Sequence, residues 1–147
     1  MRIALLLALA GGACWGDDAL GIWKMNLGRS AFAAERAPRN FTLRIERHAQ
    51  GEVFTVERTE PDGRSSSDST ILFFDRKPRD YQDLGCRGTQ SSQRVDKRTV
   101  EILRTCEAGA WMRVIRRVNT HGELTLEVNG RRPDGRQVQM LLVLQKQ

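Results

Sequence analysis

Apolar and polar residues alternate along most of this chain, and almost nowhere do they repeat at helical spacing. Phe41-Thr42-Leu43-Arg44-Ile45-Glu46 puts every second side chain on an apolar face, as a half-buried strand does. Glu123-Leu124-Thr125-Leu126-Glu127-Val128 is the cleanest alternation of all. Further strand-like runs fall at residues 22–25, 53–56, 70–74, 90–95, 99–105, 111–118 and 138–144. Turn residues separate them, among them Ala49-Gln50-Gly51, Asp96-Lys97 and Thr120-His121-Gly122. The pattern predicts about nine short strands bounded by Gly, Asp, Asn and Pro chemistry. Pro61-Asp62-Gly63-Arg64 and Pro133-Asp134-Gly135-Arg136 are near-copies, read as one hairpin device used twice. Ala31-Phe32-Ala33-Ala34-Glu35-Arg36-Ala37 is compatible with one or two helical turns, and Ser65-Ser66-Ser67 reads as flexible loop.

Strands joined by short hairpins form an antiparallel meander. A meander of about eight or nine strands removes its exposed edges by closing into an up-and-down barrel. The interior of such a barrel has room for side chains or one small ligand. An all-β barrel is therefore the expected fold, with a two-sheet sandwich as the alternative.

The first residues stand apart from this pattern. Met1-Arg2 is a positive start, residues 3–10 are apolar, and Gly11-Gly12-Ala13-Cys14-Trp15-Gly16 is rich in small residues. That is the layout of a cleaved secretory signal peptide, expected at residues 1–16. Residues 17–147 then form one β-barrel domain. The apolar run is well below the ~20 residues a transmembrane helix needs. Lipidation of Cys14 is the minor alternative, although Gly11 stands where bacterial lipoprotein signals prefer leucine.

Charge adds little. The net charge is +6 for the whole chain, or +5 once Arg2 is removed. Basic and acidic residues interleave, as in Arg44-Ile45-Glu46-Arg47, and no run of five like charges occurs. The expectation is a soluble charged surface without a nucleic-acid partner. Arg113, Arg116 and Arg117 beside Trp111 would be the best patch for a polyanion.

Cysteine content is more informative. Without Cys14, an exported chain keeps the even pair Cys86 and Cys106, and oxidation to a disulfide is the default. The two would flank a hairpin turning near Asp96-Lys97, with a three-residue loop or a bulge to bring them face to face. Two buried free thiols are the alternative. A lone metal pair would lack the four ligands of a structural zinc site.

Gly21-Ile22-Trp23-Lys24-Met25-Asn26, followed by Arg29-Ser30 and Phe32, resembles the opening of a group of small secreted bacterial proteins with a lipocalin-like (calycin-type) barrel. Ala37-Pro38-Arg39, Arg79-Asp80-Tyr81 and the ending Val143-Leu144-Gln145-Lys146-Gln147 resemble their later segments. The resemblance is dense only in the first dozen residues of the mature chain. It implies a periplasmic or extracellular barrel, with Trp23 buried at the barrel floor. Two features depart from true lipocalins. An arginine near their last strand covers the tryptophan, and here only Arg136 is offered. Arg79 also replaces the threonine of their Thr-Asp-Tyr motif.

No motif for chemistry emerges. His48 and His121 fall at predicted turns. No nucleophile elbow, phosphate loop, dinucleotide fingerprint or His-Glu-x-x-His zinc motif is present, and Asp62 and Asp68 do not match a calcium loop. Glu57, Glu60, Asp80 and Asp83 could pair as acid and base only through the fold. The expectation is a monomeric, non-catalytic barrel with no cofactor and no metal. Its partner would be a small hydrophobic or amphipathic molecule, with Phe54, Phe73, Phe74, Trp111, Met112 and Met140 as candidate wall residues. Those side chains would equally serve to fill a core. A cell-envelope interaction module with a filled core is therefore the second reading, and a polyanion-binding barrel the third.

Overall fold

The computed structural model of the chain describes residues 17–33, 35–83 and 85–147. The signal-peptide reading and Cys14 lie outside the described residues. After a 3-10 turn at Asp17–Ala19 come β1 (Gly21–Met25), β2 (Asn40–His48), β3 (Gly51–Thr59), β4 (Ser65–Leu72) and β5 (Arg79–Gln82). Then follow β6 (Arg87–Asp96), β7 (Thr99–Cys106), β8 (Trp111–Val118), β9 (Glu123–Arg131) and β10 (Gln137–Lys146). All ten join one curled antiparallel sheet in the order β4-β3-β2-β1-β10-β9-β8-β7-β6-β5. The first strand therefore pairs with both the second and the last. This is the barrel-like meander expected from the alternation.

Three local expectations change. A tenth strand, β5, is present because four residues of mixed polarity hydrogen-bond along β6; so short a run carries no periodicity of its own. Ser65-Ser66-Ser67 is ordered as the start of β4, paired with Thr59, Arg58 and Glu57 of β3. Neighbouring strands can recruit serines whose own preference is for loops. The stretch after β1 is not helical where described: Ala31 instead bridges Leu141 of β10. A 3-10 turn forms earlier, at Leu27–Arg29.

The near-copied hairpins do share one device. In each, the aspartate accepts the backbone N–H and the Nε–H of the arginine two residues on, Arg64 on Asp62 and Arg136 on Asp134. The flanking backbone bonds also repeat, Glu60 N to Arg64 O and Arg132 N to Arg136 O, both at 2.8 Å. These hydrogen bonds hold both carboxyls below their ordinary pKa of 3.8.

The edge strands β4 and β5 share no ladder among the described residues, and the slot between them is closed by side chains and a crossing loop. Gln90 on β6 donates to Thr70 Oγ1 on β4 at 2.9 Å. Phe74 and Arg76 of the β4–β5 connection donate their backbone N–H groups to Ser92 Oγ and Ser92 O, at 3.0 and 2.9 Å. Both residues sit in the left-handed region, at φ 59° and 64°, which lets the loop fold over the end of the barrel.

Inward positions are densely packed toward that end. Leu43, Leu72, Ile102, Leu124 and Leu144 have no exposed surface, and Trp23 is buried with them. An ionic cluster lies among these residues. Glu52 of β3 pairs with Arg116 of β8 at 2.8 Å and with Arg94 of β6 at 3.3 Å. Arg94 also stacks on Phe74, 4.0 Å from the ring centre.

Candidate functional site

Toward the opposite end the interior is not filled. Phe32, Glu35, Arg36 and Pro38 after β1, Glu60 and Pro133 at the two Pro-Asp-Gly-Arg hairpins, and Asp83, Gly85 and Cys86 between β5 and β6 line a cavity of about 400 Å³. One wall is apolar. Alternation along β8, β9 and β10 turns Met112, Val114, Val128, Met140 and Leu142 inward, and Phe54 of β3 completes that wall. The facing wall is polar. Arg58, Asp68, Tyr81 and Arg104 come from β3, β4, β5 and β7, and line the same space.

Most of these polar groups are held in place. Arg104 donates from Nε to Gln90 Oε1 at 2.9 Å and stacks over Tyr81, 4.4 Å from its ring centre. Tyr81 donates its hydroxyl to Asp83 at 2.6 Å. Burial pushes the Tyr81 pKa up strongly, with Arg104 opposing and Asp83 reinforcing the shift, so the hydroxyl remains a donor at neutral pH. Asp83 also accepts from the backbone of Gly85. At the rim, Glu35 accepts from Arg132 and ties the β1–β2 connection to the β9–β10 hairpin.

The disulfide between Cys86 and Cys106 is present and lines the mouth. Its register is not the facing one. Gly88 stands opposite Cys106, and the β6–β7 turn carries a bulge between Arg94 and Asp96. Cys86 sits in the loop before β6 and reaches Cys106 with 5.1 Å between Cα atoms. A Cβ on Gly88 would come within 1.9 Å of the Thr105 carbonyl, so glycine lets the two strands close beneath the bridge. Replacing both cysteines by alanine should cost about 2–4 kcal/mol, mainly through the unfolded chain. Urea unfolding reads this, and an unchanged midpoint would refute a stabilising role.

The sequence candidates scatter. Phe54, Met112 and Met140 line the cavity. Trp111 lies at its rim but alternates with Met112 and pairs with Arg131, which puts the indole on the outer face, 40% exposed. Phe73 is outside the cavity, beneath the Arg79 guanidinium. Phe74 packs on the core near the ionic cluster. Trp23 does not line the cavity. Its Nε1 donates to Ala19 O at 2.8 Å, and Lys146, not Arg136, lies over its ring at 5.6 Å. The supposed basic patch is split, since Arg116 points inward to Glu52 while Arg113 and Arg117 face out and pair with Glu101 and Glu127. His48 and His121 are at turns. Of the four carboxylates considered for acid-base work, only Glu60 and Asp83 reach the cavity wall, each already engaged.

The polar wall was not singled out from the sequence. Its signal lies in carrying the two-residue period past the apolar run. Glu52, Phe54, Val56 and Arg58 share one face of β3, and Ser66, Asp68, Thr70 and Leu72 share the matching face of β4.

No protein-family model matches the chain, and no curated protein matches it. Among solved structures, a Schistosoma mansoni fatty acid binding protein in complex with arachidonic acid is similar, with a TM-score of 0.59. The match covers 89% of this chain and 97% of that one at 10% sequence identity. The fold is that of the calycin-like barrels. At this identity the likeness speaks for architecture alone, and the cavity must be read from its own residues.

Proposed function

We propose that the protein is an exported, non-catalytic carrier that holds a small hydrophobic or amphipathic molecule inside its barrel. The observation that carries this reading is the cavity of about 400 Å³ that opens at one end of the barrel. That size falls within the roughly 300–1,000 Å³ typical of small-molecule sites. A barrel serving only as an interaction module has no need to leave its interior unfilled, since unfilled space forgoes packing energy. The similar fold of a fatty acid binding protein in complex with arachidonic acid supports the same reading. Residues 1–16 would direct the chain out of the cytoplasm, and the Cys86–Cys106 bridge suits an oxidising compartment.

Native mass spectrometry of protein taken from the periplasm of its own source should show a retained small molecule and an N-terminus at residue 17. A companion variant, Val128→Trp, should fill the cavity from its apolar wall. Displacement of a fluorescent dodecanoate analogue should then weaken by about tenfold or more, while circular dichroism stays native. Probe binding unaltered by Val128→Trp would place the ligand elsewhere and overturn the reading.

A further inference from the structure

The carrier reading leaves the ligand's head group open, and Arg104 bears on it. Val100, Ile102 and Arg104 take successive inward positions on β7, the first two in the core and the third on the polar wall of the cavity. Arg104 is held from behind. Its Nε donates to Gln90 Oε1, and Gln90, itself 7% exposed, donates onward to Thr70 at 2.9 Å. The Tyr81 ring supports the guanidinium from one side. The two Nη nitrogens make no hydrogen bond among the described residues, and Asp83 Oδ2, 3.9 Å from Nη1, is beyond hydrogen-bond reach. Among those residues only Arg58 Nε is a polar side-chain atom both sealed from open space and unpartnered, so the Arg104 Nη nitrogens do reach open space. That space is the cavity Arg104 lines, and the donors are aimed before any ligand arrives.

The charges around these donors set what they accept. Asp68 and Asp83 line the same cavity, and the Tyr81 hydroxyl feels Arg104 and both carboxylates at once. One cation against two carboxylates leaves this wall net negative. The other cavity arginines do not reverse that sign: Arg58 is paired with Glu60 and Arg132 with Glu35, while Arg36 and Arg131 are exposed to solvent, where screening weakens them. A ligand carboxylate gains the Arg104 donors but meets Asp68 and Asp83, and like charges repel strongly away from bulk water. An ammonium escapes that repulsion but has no lone pair to offer, so it leaves the Arg104 donors unmet once cavity water is displaced. Resting on the carrier reading, the geometry points to an amphiphile with an uncharged head, whose carbonyl or hydroxyl oxygen accepts from the Nη groups of Arg104. Its alkyl chain lies along the apolar wall of Met112, Val128 and Met140.

Displacement of the uncharged dye N-phenyl-1-naphthylamine at neutral pH tests this with three dodecyl probes: 1-monododecanoylglycerol, dodecanoate and dodecylammonium. The monoester should bind about tenfold or more tighter than either charged probe, as one hydrogen bond to a charged donor implies. Asp68→Asn should strengthen dodecanoate and narrow the gap, with little effect on the monoester. Arg104→Met should weaken the monoester by about tenfold, with native circular dichroism as the control for its contacts to Gln90 and Tyr81. Dodecanoate binding as tightly as the monoester to the unaltered protein would overturn the head-group assignment and leave the carrier reading standing. So would a gap that Asp68→Asn leaves unchanged, or a bound dye that none of the three displaces. If neither the dye nor any probe binds, the carrier reading falls and the inference falls with it.

Discussion

Glu52→Ala will cost the fold about 3–5 kcal/mol, the usual penalty for stranding one member of a buried ion pair. Glu52 and Arg116 are almost wholly buried, at 3% and 2% exposure, and they join β3 to β8 across the interior. With Glu52 gone, the Arg116 guanidinium has lost its counter-charge and cannot reach water. Burial already lowers its pKa, and Glu52 is the main group opposing that shift. Against a total stability of about 5–15 kcal/mol for a domain of ordinary size, the loss removes about a fifth or more. Glu52→Gln keeps an acceptor but not the charge, so it should fall between wild type and alanine. The double variant Glu52→Leu, Arg116→Met removes both charges and should recover much of the loss, because well-packed apolar residues can replace a buried pair. Arg94, 22% exposed at its side chain, can turn to solvent in that variant. Urea unfolding would measure all three. A Glu52→Ala midpoint within experimental scatter of wild type would show that water reaches this cluster.

The same cluster shows where reading the chain stops. Alternation identified β2 and β9 outright because one face of each is buried and the other wet. It also made a meander the natural topology, since short hairpins join neighbours in sequence. It could not show that Glu52 and Arg116 belong inside. At their own positions both look like the polar members of alternating strands, and only the register of the four strands between β3 and β8 in the sheet brings them within 2.8 Å. The disulfide was legible as a pair but not as a geometry, because the turn falls at Lys97-Arg98, one residue later than the sequence suggests, and Cys106 then stands opposite Gly88, two residues from Cys86. The polar cavity wall escaped for a similar reason. A barrel that is apolar throughout its inner face can be recognised from periodicity, whereas one with arginines and an aspartate facing inward looks, strand by strand, like an exposed edge. The slot between β4 and β5 lies in the same region, and β4, rich in serine, borders it.

Trp23→Ala should be nearly as severe as the loss of Glu52, at about 3–5 kcal/mol for a large buried aromatic. Trp23 is 1% exposed and joins three parts of the chain. Its Nε1–H satisfies the carbonyl of Ala19 in the turn before β1. Its register partners are Leu43 on β2 and Lys146 on β10, and the Lys146 ammonium lies over its ring. The strand that unites the first and last hairpins of the sheet is therefore fastened by one side chain. Two milder variants separate its contributions. Trp23→Phe keeps most of the apolar bulk but loses the bond to Ala19, a change of about 1 kcal/mol beyond the lost ring volume. Lys146→Met removes only the cation above the ring, about 0.5–1 kcal/mol at a site of this exposure. The expected order is alanine far ahead of phenylalanine, with Lys146→Met last, by urea unfolding. Ligand affinity provides the contrary test. Since Trp23 is not among the cavity-lining residues, Lys146→Met and Trp23→Phe should leave dodecyl-probe binding unchanged in the folded protein. A tenfold loss of binding with stability intact would mean that the indole touches the ligand, and its place would then be in the cavity wall instead of in the packing that closes the barrel beneath it.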